Sequence, residues 1–282
     1  MLYVIGNKRL SLSVESFGAQ PVSIKKDGKE MLWQNDNGAW SGSAPILFPY
    51  GGNVRIVVNG KEYPKAFHGI AKINEFSFVS QTAASLTLSF KSSEKTKEVF
   101  PFDFEFIAKY AVKNTTLFIT YTVINPSVDK NLYFSCGGHE SFNISGKLDD
   151  YYVEFEKPEK LTRMYHEKDG RLLKNADTYP VSDVMCFKDF PVATNDTLIF
   201  KGIKSSYVRL RKRGGETVCE THFKGFHNLL CWRAENSPYI CVEPWKNLPD
   251  TVGEENIEFK DKYGVEKVPP QSEKTIRRKI IY

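Results

Sequence analysis

The sequence predicts an all-β protein, a large antiparallel β-sandwich, and three observations support this. Hydrophobic and polar residues alternate at 10–14, 86–90, 102–106 and 117–123, which turns one side of each strand towards a core. Turn signals rich in Gly, Asn and Pro separate these stretches. Apolar residues do not repeat for long at helical spacing, so helices should be scarce.

The chain is also expected to form one domain over residues 1–282. Its 282 residues can bury a large core, and all-β domains of about 200–250 residues are routine. We find no Pro-, Gly- or Ser-rich linker and no internal repeat. Two sheets packed face to face are the expected arrangement, although the pattern does not give the strand order.

Individual elements follow from local residue types. The segment VRIVVNGKEY predicts a hairpin, because Asn59 and Gly60 accept the positive φ angles of a tight turn. Residues 157–175 are compatible with either a short helix or a charged loop. Pro244 lacks a backbone N–H, so the strand that contains Glu243 is expected to end there.

Composition narrows the function classes. Lys and Arg total 39 against 34 Asp and Glu, and this net charge of +5 is too mild for a dedicated nucleic-acid binder. Neither a signal peptide nor an apolar run of about 18 residues is present, so no membrane partner is expected. Five unpatterned cysteines suggest reduced thiols, and a cytoplasmic protein is expected.

Three short segments each contain a residue that can move a proton: FHGIAK with His68, CGGHESFN with His139, and ICVEPW with Glu243. Histidine titrates near neutral pH, and the adjacent glycines permit close approach to a ligand. A carboxylate near the flat ring of Trp245 suits a sugar site, since the ring can pack on a pyranose face. Considered singly, each segment is more typical of an ordinary loop or strand end than of a functional site.

A metal site and a nucleic-acid surface are rival interpretations. Cys136 and His139, together with Cys219 and His222, could supply four zinc ligands, but residues three apart on a strand face opposite sides. The basic stretch YVRLRKRGG contains Arg209, Arg211 and Arg213 at period two. Such a row is more often the solvated face of a strand. No metal or other cofactor is therefore predicted.

Taken in order, SAPILFPYGGNVRI, FHGIAK, GGHESFN and ICVEPW resemble the aldose 1-epimerase (mutarotase) family, above all its shorter LacX-type branch. The likeness extends over nearly the whole chain. The order and local context of these segments are more specific than any one of them. The resemblance implies a large antiparallel β-sandwich, in agreement with the strand pattern.

The resemblance also implies roles for particular residues. Glu243 matches the general base that takes the proton of the anomeric hydroxyl, and His139 matches the general acid that protonates the ring oxygen. His68, Arg55 and Asp196 match sugar-binding positions, of which Asp196 is the loosest match. Together with the aromatic Trp245, these residues form the predicted site.

The chain departs from the family pattern at three positions. Asn53 stands where the shorter branch usually has arginine, Lys72 replaces an arginine, and Glu140 stands where proline is common. Both proton-transfer residues are unaffected by these changes, but the preferred sugar is left open.

The implied activity is the interconversion of the anomers of an aldohexose such as galactose or glucose. It requires one acid and one base, and no metal, nucleotide or covalent intermediate. His139 and Glu243 are expected to face each other across a cleft about one sugar ring wide. The alternatives are a noncatalytic sugar-binding or sugar-sensing protein and a mutarotase that acts on hexose phosphates.

Overall fold

The structure, a computed structural model, describes residues 1–190, 192 and 196–282. Strands β1 to β8 in these ranges are Leu2–Gly6, Leu10–Glu15, Pro21–Lys26, Lys29–Glu30, Ile56–Val58, Lys61–Tyr63, Ser77–Thr82 and Ser85–Lys91. Strands β9 to β16 are Glu105–Lys113, Thr116–Asn125, Leu132–Phe134, Ser141–Asn143, Tyr151–Phe155, Glu159–His166, Leu172–Val181 and Val184–Cys186. Strands β17 to β23 are Leu198–Lys201, Tyr207–Lys212, Thr217–His222, Asn228–Trp232, Tyr239–Trp245, Glu266–Val268 and Ser272–Ile281.

Helices are few within the described residues, as the sequence predicts. They are one turn of α-helix at Glu94–Lys97 and three 3₁₀ turns, at Ala71–Ile73, Leu148–Asp150 and Phe259–Asp261. Ser93 caps the α-helical turn, because its hydroxyl accepts a hydrogen bond from the Thr96 N–H. No helix in the described ranges has the length and apolarity needed to cross a membrane.

Large antiparallel sheets make up the fold. The largest has nine strands in the order β16-β13-β18-β19-β23-β10-β9-β8-β7. A six-stranded sheet has the order β12-β21-β20-β17-β14-β15, and a four-stranded sheet has the order β1-β2-β3-β4. Every pairing within them is antiparallel, and one extensive hydrophobic core contains residues from all three sheets. The all-β prediction is therefore confirmed.

The alternating stretches correspond to strands in most cases. Those at 10–14, 86–90 and 117–123 lie in β2, β8 and β10, and the alternating apolar residues, from Leu10 to Val123, are buried, whereas Phe118 between them is exposed. The stretch at 102–106 is only partly a strand, because β9 begins at Glu105. The predicted hairpin at 54–63 is present as β5 and β6, with positive φ angles at both Asn59 and Gly60.

Two local predictions were wrong. Residues 157–175 form neither a helix nor a loop but most of the hairpin of β14 and β15, which gains its hydrogen bonds from strand pairing. The strand does not end before Pro244, since β21 continues to Trp245 and Pro244 pairs with Leu229. Proline has no N–H to donate to a neighbouring strand, but the Pro244 carbonyl still accepts a hydrogen bond from the Gly138 N–H.

Strand β21 divides the core from the site. All seven of its residues are buried. Ile240 and Val242 belong to the main core, whereas Tyr239, Cys241 and Trp245 pack in two smaller clusters on the other face. Because side chains alternate along a strand, Glu243 also points to this second face. The core therefore supports the strand from behind while its front is available to a ligand.

Candidate active site

Strand register brings His139 and Glu243 together although 103 residues separate them in the chain. Ser141 pairs with Cys241, and Gly137 forms a bridge with Trp245. Counting inwards from these two pairs, His139 lies opposite Glu243. The imidazole Nε2 is 3.4 Å from the carboxylate Oε2, and 6% and 1% of the two residues are exposed. Antiparallel pairing, not loop geometry, assembles the acid–base pair.

The two groups are closer than the sequence suggested. They do not face each other across a gap one sugar ring wide, because cross-strand partners project side by side from the same face of a sheet. A hemiacetal does not need the wider gap. Its hydroxyl oxygen and its ring oxygen are bonded to the same carbon, so adjacent groups can reach both.

Three glycines provide the space for Trp245. A Cβ added at Gly51 would lie 2.8 Å from the indole, one at Gly52 3.1 Å, and one at Gly137 2.8 Å. The indole N–H donates a hydrogen bond of 3.1 Å to Glu243 Oε2. The tryptophan therefore orients the carboxylate, a contact that the aromatic role predicted from sequence did not include.

His68 is fixed in an uncommon backbone conformation. Its φ of +63° lies in the left-handed region, and such a conformation is sustained only when neighbouring contacts impose it. Here two hydrogen bonds with the Gly52 backbone hold His68 in this conformation. The His68 N–H donates to the Gly52 carbonyl at 3.1 Å, and the Gly52 N–H donates to His68 Nδ1 at 3.0 Å. Since Nδ1 accepts, neutral His68 has its proton on Nε2.

Burial controls the protonation of all three titratable groups. Desolvation lowers the pKa of His139 to about 3, and the positive charge of Lys72 contributes to the shift. Desolvation, His139 and Lys72 lower the pKa of His68 well below its ordinary value. Desolvation raises the pKa of Glu243 well above its ordinary value, against the hydrogen bond from Trp245. Burial therefore favours the neutral form of both imidazoles and the protonated form of the carboxyl group.

These groups line a cavity of about 660 Å³, a volume typical of small-molecule sites. His68, His139, Glu243 and Trp245 all contribute to its wall. The sequence analysis missed two further tryptophans in the wall, Trp40 and Trp232. Trp40 lies in the Gly- and Ser-rich stretch just before SAPILFPYGG, a setting that could have indicated a ligand-facing ring.

Trp40 and Trp232 enclose the imidazole of His139. The Trp40 ring stacks on it with centroids 5.0 Å apart, and the Trp232 ring meets it edge-on at 5.9 Å. A hydrogen bond of 2.8 Å from the Trp33 indole N–H to the Trp40 carbonyl anchors the loop. Two flat apolar rings beside the acid–base pair are suited to the apolar face of a sugar.

Arg55 and Asp196 are not among the residues that line this cavity in the described part of the chain. The guanidinium of Arg55 makes an ion pair with Glu62 at 3.2 Å and donates to Asn256 at 2.9 Å. The carboxylate of Asp196 accepts a hydrogen bond from Arg163 at 3.0 Å. These partners hold both side chains elsewhere, so the geometry does not support the sugar-binding roles that the resemblance implied for them.

One cluster of potential metal ligands is present in the described ranges. His139, Cys241 and Glu243 bring their ligand atoms within 4.8 Å of one another. Burial raises the pKa of the Cys241 thiol well above its ordinary value, and the protonated thiol is a poor metal ligand. The rival zinc set is not assembled, since Cys219 and His222 lie on β19 and His222 contacts Glu220 at 2.5 Å.

A family comparison matches residues 1–208 to the model described as "Aldose 1-epimerase". The chain belongs to the aldose 1-epimerase family. It is similar to two proteins of Lactococcus lactis subsp. lactis, the plasmid and chromosomal LacX proteins. The identity to each is 30% over 286 residues, covering 96% of this chain and 95% of the relative.

Solved structures of similar proteins extend the comparison to the fold of this family member. A galactose mutarotase related enzyme from Lactobacillus acidophilus has a TM-score of 0.91 and 25% identity, covering 100% of this chain and 97% of the other. A galactose mutarotase-like protein from Lactobacillus casei has a TM-score of 0.89 and 24% identity, covering 100% and 99%. The second likeness concerns the fold alone. The galactose mutarotase-like architecture thus applies to the entire chain.

Proposed function

We propose that this aldose 1-epimerase family member interconverts the α and β anomers of an aldose. The observation that carries the proposal is the 3.4 Å contact between a buried imidazole and a buried carboxyl group in one ligand-sized cavity. Sugar binding alone requires hydroxyl partners, whereas this pair can give and take protons. The contact therefore favours an enzyme over a noncatalytic sugar sensor.

The proton inventory suits ring opening. In the pair, Glu243 carries a carboxyl proton and His139 is a neutral imidazole. Transfer of the carboxyl proton from Glu243 to His139 gives a carboxylate and an imidazolium without any change in net charge. The carboxylate then takes the proton of the anomeric hydroxyl. As the C1–O5 bond breaks, its electron pair goes to the ring oxygen, which takes the proton of His139. Rotation about C1–C2 and the reverse steps yield the other anomer.

The remaining wall residues assist this reaction. His68 can donate a hydrogen bond from Nε2 to a sugar oxygen, because Gly52 occupies its other nitrogen. Trp245 holds the carboxylate that acts as the base. Positioned acid–base groups contribute about 10²–10⁴-fold each. At about 1.36 kcal/mol per decade, two such groups would lower the barrier by roughly 5–11 kcal/mol.

Anomer exchange tests the proposal directly. Freshly dissolved α-galactose and α-glucose are followed by polarimetry with the wild-type protein and with Glu243→Gln and His139→Asn. Each substitution should slow exchange by about 10²–10⁴-fold while a thermal melt remains cooperative. If wild type does not accelerate exchange of any sugar that it binds, the sensor function is correct instead.

Lys72 favours a second substrate class, a sugar with an anionic group such as a hexose phosphate. Its half-buried side chain lines the cavity, and it makes no ion pair with the described residues. Burial lowers its pKa, consistent with a charge that no carboxylate compensates. An anionic group on the ligand would supply the missing partner.

Substrate comparison separates these two classes. Lys72→Met should reduce kcat/KM for a hexose 6-phosphate by about tenfold or more, since a charge-assisted contact is lost, and should leave a neutral hexose little affected. Equal effects on both sugars would show that Lys72 does not recognise an anion.

A further inference from the structure

Two features of the sequence are left unexplained by the proposed reaction. Glu140 directly follows His139, and Arg278 lies in the basic C-terminal stretch TIRRKII. The structure joins them. Arg278 Nη1 donates to Glu140 Oε2 at 3.0 Å, and Nη2 donates to Oε1 at 2.5 Å. Both side chains are almost fully buried, with 4% and 3% of the two residues exposed.

The same guanidinium also lies against Gly138. A Cβ added there would be 2.2 Å from Nη1 and 2.3 Å from Cζ, so only glycine allows this approach. Residues 138 and 140 flank His139 in a segment that runs alongside β21, so they face away from the side to which His139 points. The imidazole is therefore directed into the cavity while Arg278 holds both neighbouring residues from behind.

Arg278 connects this segment to the nine-stranded sheet. It lies on β23, where it pairs with Ile119 of β10, whereas the His139 segment borders the six-stranded sheet. The segment is hydrogen-bonded to β21 on both sides of His139, from the Gly138 N–H to the Pro244 carbonyl and from the Val242 N–H to the Glu140 carbonyl. The ion pair thus links the segment that contains His139 to the nine-stranded sheet.

We propose that the Glu140–Arg278 ion pair positions His139 for proton transfer, by holding the two residues beside it against the core. The effect on proton transfer rests on the mutarotase function proposed above. Neither residue lines the cavity, so neither contacts a bound ligand directly. A displacement of a reacting group by about 1 Å can reduce the rate by about 10²-fold, so an ion pair that prevents such a displacement would increase the rate.

Stability alone gives a weaker reason for this pair. Replacing a buried ion pair with apolar residues of similar volume is often neutral or stabilising, whereas removing one partner leaves an uncompensated charge. Around this pair lie Tyr110 and Tyr121, and desolvation raises the pKa of both phenols. Besides the effect of desolvation, Glu140 also lies close enough to Glu243 for its charge to raise the pKa of that carboxyl, so the pair is coupled electrostatically to the site.

The test is the double variant Glu140→Leu with Arg278→Met, which removes both charges together. Its control is Asp250→Asn with Lys262→Met, because Asp250 and Lys262 form another buried ion pair at 2.5 Å. Melting temperature, kcat and KM are measured for each. We expect the first variant to keep its melting temperature and KM but to lose about 10²-fold in kcat. The control should keep its kcat.

Unchanged kcat in a stably folded Glu140→Leu, Arg278→Met protein would overturn the proposal. If that variant fails to fold, Arg278→Lys replaces it, since it keeps the charge but loses the two-pronged contact. Its kcat should fall about tenfold at constant KM, and an unchanged kcat would again overturn the proposal.

Failure of the mutarotase function itself has a different signature. In that case wild type would not accelerate exchange of any sugar, and positioning would be read from the NMR signals of the His139 imidazole. One set of signals in wild type and several in the double variant would support the positioning role without any activity. A single unchanged set would contradict it.

Discussion

Two regions of the molecule contain cross-strand pairs of a carboxylate and a basic residue, with opposite consequences. In the six-stranded sheet region, His139 lies opposite Glu243 in a buried cavity. In the nine-stranded sheet, Glu154 pairs in register with Arg209, and Arg209 Nη1 donates to it at 2.7 Å. Arg211 binds the other oxygen of Glu154, also at 2.7 Å. The second pair is partly exposed to water.

The surroundings of the two carboxyl groups, and not their cross-strand pairing, account for the difference in their pKa values. Hydrogen bonds from Arg209 and Arg211 lower the pKa of Glu154, whereas desolvation raises the pKa of Glu243. Guanidinium remains charged throughout, but an imidazole can lose its proton to suit a dry site. The same kind of cross-strand pairing thus gives a partly exposed ion pair in one sheet and a buried imidazole–carboxyl pair beside the other. Binding to Glu154 also accounts for Arg209 and Arg211, two of the three arginines in the basic stretch YVRLRKRGG.

The same substitution in both regions gives the largest contrast. Glu243→Gln should reduce the exchange rate by about 10²–10⁴-fold. Glu154→Gln should leave the rate unchanged, because Glu154 lies outside the cavity. Polarimetry measures both. A comparable loss in Glu154→Gln would mean that the two regions are not functionally distinct.

The pH dependence of stability should also be opposite in sign. Folded Glu243 keeps its proton above the ordinary value of 4.5, so the wild-type fold loses stability as pH rises past it, and Glu243→Gln gains relative to wild type. Folded Glu154 has a lowered pKa, so its contribution is present above 4.5 and is lost on acidification. Urea unfolding across this range measures both differences. Parallel pH profiles would contradict the assigned protonation states.

A smaller effect is expected from Gly137→Ala. The added methyl group would lie 2.8 Å from Trp245 and 3.1 Å from Leu47, so the indole that orients Glu243 must move. We expect a stability loss of about 1–3 kcal/mol, as for other overpacked cores, and slower exchange. Gly60→Ala is a matched control for the effect on rate, because a Cβ there meets no atom within 4 Å. Equal rates for the two variants would exclude the contact with Trp245 as the cause.

The smallest effect concerns the partly exposed arginines. Arg209→Gln removes ion pairs to Glu154 and Glu220, and partly exposed pairs contribute about 0–1 kcal/mol. Chemical denaturation should therefore show a loss within that range, which shrinks at high salt, and polarimetry should show unchanged exchange. A loss several times larger would indicate that this face is more strongly desolvated than its exposure implies.

The sequence determined the strand-rich architecture and identified four residues of the candidate site. Alternation at 10–14, 86–90 and 117–123 specifies buried faces because side-chain period is a local property. The family segments named His68, His139, Glu243 and Trp245, and the structure brings these four into one cavity. The predictions of a single domain and of the two catalytic roles remain predictions.

Only the tertiary structure decided how these residues meet. Register between β12 and β21 sets the contact between His139 and Glu243, and burial there shifts both pKa values. Neither property is local, because pairing partners and desolvation depend on segments far away in the chain. For the same reason, the Glu140–Arg278 pair could not be assigned from sequence, whereas Arg55 and Asp196 matched the pattern but lie elsewhere.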